Sequence, residues 1–152
     1  SVSKTSGEEL CKMYTELFGL QTITFRYFNV YGDRQPTKGQ YAPVIGLFER
    51  QKKNGELMTV VGDGMQTRDY THVKDVVNAN LLATQCEEGF GEIFNIGTGI
   101  SHSILDLIKF IGGPFTNIPP RIGESRYTQA DNSKAKAILK WEPKLTLKEY
   151  FK

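Results

Sequence analysis

The sequence holds little cysteine, little histidine and almost no net charge. Cys11 and Cys86 are its only cysteines and stand far apart, so no disulfide framework or cysteine-built metal cluster is available. Both fall on expected helices and read as reduced core thiols, which suits a cytoplasmic setting. His72 and His102 are isolated, and without a second His or Cys nearby no metal site is expected. Lys plus Arg exceeds Asp plus Glu by 19 − 17 = 2, too small an excess to imply nucleic acid or a membrane surface as partner. Specific anion sites remain open. No apolar run approaches the ~18 residues of a membrane span and no signal-peptide pattern occurs, so a soluble protein is expected. An initiating Met is also lacking, and Ser1 opens what reads as a first helical turn; a truncated protein is the expectation. With 39% hydrophobic and 24% charged residues, the 152-residue chain suits one well-buried core.

The most informative stretch is Phe25 to Gln35, FRYFNVYGDRQ. With Thr22, Ile23 and Thr24 before it, its front half is a run of β-branched and aromatic residues, as in a strand buried on both faces of a parallel sheet. Its back half, from Asn29, crowds polar and turn-forming groups where that strand ends. In open α/β sheets ligands bind at the carboxyl ends of strands, so a site is expected just past Phe28.

In chain order, the spacing predicts a helix from Ser3 to Phe18, with Leu10, Met13, Tyr14, Leu17 and Phe18 on one face and Gly19 closing it. A second helix is expected over Pro43 to Lys53, then a strand over Leu57 to Val61 ended by Gly62-Asp63-Gly64. Thr67 to Thr71 is extended and leads into a helix from Val73 to about Cys86, with Val73, Val76, Val77 and Leu81 in register. Glu92 to Ile96 is a strand, and a helix over Ser103 to Ile111 takes Ser101 or Ser103 as its cap. Asn117 to Gly123 reads as loop, and a last helix spans Asp131 to Lys140 with Asp131 as cap. Strands alternate with helices, so the class is α/β with crossover connections. The Gly-rich turn of a dinucleotide fold is missing; Gly62-Asp63-Gly64 and Gly97-Thr98-Gly99 are plain turns.

SVSKTSGEE, RYFNVYGDRQ, VVGDGMQTRDYTHVKDVVNA, FNIGTG and RIGE…ADNSKA…LKWEP stand in this order across essentially the whole chain. Together they resemble the extended short-chain dehydrogenase/reductase family, most of all its nucleotide-sugar 4-epimerases acting on UDP-glucose or UDP-N-acetylglucosamine. Nucleotide-sugar dehydratases and UDP-glucuronate decarboxylases share the same motifs. The resemblance implies the C-terminal part of a Rossmann-type enzyme, residues 1–152 carrying the smaller substrate-binding subdomain, with the NAD-binding half absent. It also implies a homodimer built on helices. A non-catalytic module that binds a nucleotide sugar, or an assembly partner of the missing half, is the alternative of another class.

The same resemblance implies the site residues. Lys4 matches the Lys of a YxxxK motif whose Tyr would stand immediately before Ser1. In the family it holds the nicotinamide ribose of NAD and lowers the Tyr pKa, so that a phenolate takes the sugar hydroxyl proton. Tyr27 and Phe28 match positions that border the nicotinamide. Asn29, an amide with donor and acceptor at a strand's end, matches a residue for the diphosphate and sugar. Val44 and Phe48 match the helix covering the nucleotide; Thr59 and Val61 match the strand whose backbone reads the base. Val61 neither stacks nor hydrogen-bonds through its side chain, which leaves the base open. Arg68 and Arg121 match the diphosphate-binding arginines, planar forks of always-charged donors. Glu124 stands where the family usually has Asp, accepting from ribose hydroxyls. Asp69 and Asp75 read as carboxylates that cap backbone N–H groups at loop-to-helix connections.

Overall fold

The computed structural model describes residues 2–39 and 42–152; Ser1, the expected helical start, lies outside them. Helix α1 (Val2–Phe18) is followed by strands β1 (Thr24–Tyr27) and β2 (Val30–Tyr31), helix α2 (Val44–Lys53) and strands β3 (Met58–Val61), β4 (Thr67–Asp69) and β5 (Thr71–His72). Then come α3 (Val73–Ala83), β6 (Ile93–Ile96), β7 (Ser101–Ser103), α4 (Ile104–Ile111), β8 (Phe115–Ile118), α5 (Ser133–Leu139) and α6 (Leu147–Tyr150). The strands join in pairs: β1 with β6, β2 with β5 and β3 with β8 are parallel, and β4 with β7 is antiparallel. The α/β class is as expected.

Two apolar clusters hold these pairs. One gathers Tyr31, Ile45, Phe48, Val60, Tyr70 and Leu107 between α2, β3 and α4; the other gathers Val76, Phe94, Ile96, Leu139 and Trp141 between α3, β6 and α5. The ends of α4 are closed from both sides. Ser103 and Asp106 form a reciprocal capping box at its start, and Lys52 of α2 donates to the Ile111 carbonyl at its end. Trp141 is fully buried and its indole N–H donates to the Asp75 carbonyl at 2.9 Å, while Asp75 Oδ2 accepts from the Leu145 amide at 3.0 Å. The C-terminal segment is thereby strapped across the start of α3.

Several expectations need correction. β1 is only half-buried at Thr24 and Phe25 and exposed at Arg26 and Tyr27, because β6 is its sole strand neighbour among the described residues. Helix α3 ends at Ala83, and Val77 and Leu81 lie exposed; Asp75, Val76 and Ala79 are the buried residues. Cys86 therefore follows the helix, and neither thiol is fully buried. Phe115 to Ile118, overlapping the expected loop, pairs with β3, where exposed side chains had hidden the strand pattern. β7 and α6 were also unforeseen, β7 being a three-residue strand fixed by pairing with β4 and α6 a single turn held by the Thr146–Glu149 capping box. The cap of α5 is Asn132 rather than Asp131, although Asp131 Oδ1 does accept from the Ser133 amide. Helix α1 has no buried residue at all: Leu17 is 68% and Phe18 69% exposed.

Asp69 accepts as expected, but from distant segments rather than its own turn. Its carboxylate takes the Thr98 amide at 2.8 Å, the Thr98 hydroxyl at 2.7 Å, the Gly99 amide at 2.8 Å and the Ala130 amide at 3.0 Å. Charge-assisted bonds of this kind contribute about 1.5–3 kcal/mol each and leave buried donors orphaned when removed. Asp69→Ala is expected to lose more than about 3 kcal/mol of stability, with Asp69→Asn between it and the native chain, as urea unfolding will measure.

His72 caps α3 through an unprotonated ring nitrogen: Nδ1 accepts from the Lys74 amide at 3.1 Å, with the rings of Tyr31 and Tyr150 packed at 5.2 and 5.7 Å. Burial holds its pKa below the usual imidazole value, helped by Lys74 and opposed by Asp75 and Asp33. The unfolded chain then binds the proton more readily, so this stability is complete above the unfolded value of about 6.5 and lost as pH falls through the lower folded value. Urea midpoints between pH 8 and pH 5 should fall for the native chain, with a smaller slope for His72→Gln.

Candidate functional site

α2 lies beside the edge of β3, and the segment after β8 returns past both. Between them is a cavity of about 540 Å³, within the usual size of a small-ligand pocket, lined by Val44, Leu47, Phe48, Thr59, Val61, Gln66 and Arg121 among others. Five of the expected substrate residues, Val44, Phe48, Thr59, Val61 and Arg121, are thus brought to one place. Phe48 is completely buried and forms the floor, belonging as much to the core as to the cavity. Lys38, Arg50 and Arg121 line the same space, and no carboxylate does among the described residues. The wall is built for an anion with an apolar or planar part.

A second hollow of about 300 Å³ adjoins it, sharing Val61, Gln66 and Arg121 and adding Glu124, Asp63 and Arg126. Asp63 and Arg126 form a two-pronged pair, both contacts at 2.8 Å. The Arg126 guanidinium and then the Met65 amide hold the Asp63 carboxyl down at about 2. This pair ties the turn after β3 to the 121–127 segment and keeps the two lips of the hollow together.

Arg68 sits at the rim rather than on the lining. Its NH2 group donates to Glu124 Oε1 at 3.1 Å and its NH1 group to the Thr67 carbonyl at 2.8 Å. Arg68 therefore faces a carboxylate, and only Glu124 links it to the hollow that Arg121 lines. Near this pair the buried Tyr70 hydroxyl has its pKa pushed well up by desolvation.

Lys4 and Tyr27 occupy a different groove. It runs between α1 and β1 with about 660 Å³ of space and includes Thr5, Gly7 and Arg26. Arg26 is held by Glu8, with contacts of 2.7 and 2.6 Å. Tyr27 also reaches the other side of β1, where its hydroxyl donates to Asn80 Oδ1 at 3.1 Å. Phe28 is half-buried, its amide donating to Ile96 O at 3.1 Å, and Asn29 is exposed with its carbonyl taking the Thr71 amide. A cation and an aromatic on one groove suit one flank of a dinucleotide's ribose and ring, and the chain has no Gly-rich turn to cradle the phosphates.

Sequence reasoning missed Lys38, Arg50, Gln51, Gln66 and the Asp63–Arg126 pair. Arg50 and Gln51 fall near the end of α2 among Arg, Gln and Lys residues that read as a solvated face. Only the position of α2 against β3 separates them. Gln66, two residues before Arg68 in the GDGMQTRD run, was the one with a legible signal.

The NAD dependent epimerase/dehydratase family model matches residues 1–97. The UDP-glucose 4-epimerase of Mycolicibacterium smegmatis is 36% identical over 98% of this chain and 49% of its own length. A UDP-N-acetyl-alpha-D-glucosaminuronate decarboxylase of Bacillus cytotoxicus is 34% identical over 100% of the chain and 50% of its own. Among solved structures, the UDP-glucose 4-epimerase of Thermotoga maritima with UDP-glucose superposes with a TM-score of 0.90 at 39% identity, over 99% of this chain and 50% of that one. The chain belongs to the NAD dependent epimerase/dehydratase family, and it spans about half the length of these relatives.

Proposed function

We propose that residues 1–152 are the C-terminal, substrate-binding portion of an NAD-dependent nucleotide-sugar 4-epimerase that acts by transient oxidation and re-reduction at C4 of a UDP-sugar. The observation that carries this reading is the cavity between α2, β3 and the 121–127 segment, which gathers five separately expected residues around cationic groups. In it, Arg121 takes the diphosphate with Arg68 at the rim; Glu124, on the adjoining hollow, takes the ribose hydroxyls, and Asn29, which lines neither space, takes the diphosphate–sugar end. Val44 and Phe48 cover the nucleotide, while Thr59 and Val61 read the base through their backbone. NAD supplies the hydride acceptor when bound. Lys4 would hold its ribose, with Tyr27 and Phe28 beside the nicotinamide. The decarboxylase relative supports a second reading, in which the same cavity serves a UDP-sugar acid.

The chain alone is expected to show no turnover of UDP-glucose and no tight NAD binding, because its sequence contains neither a phosphate-cradling Gly-rich turn nor the Tyr that a YxxxK motif ending at Lys4 requires. In a full-length parent, Arg68→Ala or Arg121→Ala should each weaken UDP-glucose binding by about ten- to a hundredfold, the double change by less than the product, and Lys should restore each only in part. Isothermal titration decides it. Shifts below about twofold, as for solvated surface charges, would remove the diphosphate assignment.

The apolar face of α1 supports a homodimer, since Leu10, Tyr14, Leu17 and Phe18 are exposed together. Light scattering at high concentration should show a dimer or larger species for the native chain and a monomer for Leu17→Glu; a native monomer would count against it.

A further inference from the structure

Four charged residues of alternating sign stand at every fourth position along α1: Lys4, Glu8, Lys12 and Glu16. Residues so spaced are neighbours on a helix face, so each lysine has a glutamate within reach on its C-terminal side. Lys12 uses it, its ammonium lying 3.8 Å from Glu16 Oε1. Lys4, in the same order and at the same spacing from Glu8, does not. Among the described residues it has no hydrogen bond or ion pair.

Arg26 of β1 accounts for the difference. Its Nε and NH2 groups donate to Oε1 and Oε2 of Glu8 at 2.7 and 2.6 Å, a two-pronged hold that a single ammonium cannot match. Lys4, Glu8 and Arg26 line one groove, and Glu8 is its only carboxylate among the described residues. Glu9 lies instead beside Leu10 and Met13 on a neighbouring groove, and Gly7 has no side chain to offer. The far end of α1 is held separately, by hydroxyl oxygens of Thr15 and Thr22 that stand 2.7 Å apart, so the helix keeps a second tie to the chain without Arg26.

We propose that Arg26 is a positioning residue for Lys4: by occupying both oxygens of Glu8 it withholds the one carboxylate of the groove, and the ammonium stays open to the hydroxyls of a ligand there. For that ligand, the nicotinamide ribose, the inference rests on the reading of Lys4 given above. An ammonium already paired would have to leave Glu8 before it met a hydroxyl, and the exchange would weaken binding by the strength of the pair. A same-helix pair of this order is worth about a factor of two in an equilibrium constant, which sets the size of the gain from Arg26.

The test is competitive acetylation of the intact chain with limiting, isotope-labelled acetic anhydride, read by mass spectrometry as the rate at Lys4 relative to the exposed Lys136. Acylation proceeds through the neutral amine, which a paired carboxylate disfavours. Arg26→Leu is expected to slow Lys4 about twofold as Glu8 turns to it, and Arg26→Lys, which grips Glu8 with less geometric hold, by a smaller factor. Adding Glu8→Gln to Arg26→Leu should restore the native rate, whereas a pair that merely tethers α1 would not be restored by removing its second partner. If Arg26→Leu does not fold, Arg26→Gln is measured in its place. No change at Lys4 in the single variant, slowing at Lys12 alone, or slowing that persists in the double variant overturns the proposal. In a full-length parent, isothermal titration of NAD should follow Lys4, with affinity lower by about twofold in Arg26→Leu and recovered in the double variant. If Lys4 responds as stated but NAD affinity does not, the competition stands and the ribose reading of Lys4 falls.

Discussion

The arrangement depends first on one buried carboxylate. Asp69 ends β4 and gathers donors from the 97–99 turn and from Ala130, segments about thirty and sixty residues further along the chain. Gly97 is required beside it: a Cβ there would lie 2.4 Å from that of Ala130 and 3.1 Å from Asp69 Oδ2. With these donors satisfied, β4 is held against β7, and the neighbouring Arg68 is delivered to the rim where Glu124 meets it. The charged residue at the rim and the one that holds the fold are adjacent in sequence because alternate strand residues point to opposite sides.

α2 shows how core and site share one helix. Ile45 and Phe48 are sunk in the cluster with Val60 and Leu107, while Val44 and Leu47, half-buried, face the cavity. Polar residues near the end of the same helix do separate tasks: Gln51 grips Thr59, and Lys52 closes α4. The cavity wall is consequently continuous with the core behind it.

α1 is the opposite case. Its apolar positions have the period of a packed helix, yet none is buried within the described residues. The Lys4 groove is open for the same reason, since α1 meets the rest of the chain mainly through β1.

Where hydrophobic period and turn chemistry agree, the residues alone determined the structure: α1, α2, α4, β3 and β6 follow from apolar spacing, Gly stops and the Ser103 cap. The family resemblance of the motifs, rather than any local pattern, implied Val44, Phe48, Thr59, Val61 and Arg121 as parts of one site, and the fold brings them to one cavity. Tertiary structure alone decided β7, β8 and α6, whose three or four residues are too few for a period to be read. It also decided that Arg68 would face Glu124, that Asp69 would serve distant loops, and that Gln51 would close the edge of β3. Hydrogen-bond partners across 8 to 61 residues of chain depend on how packed elements meet, and no local pattern encodes that meeting.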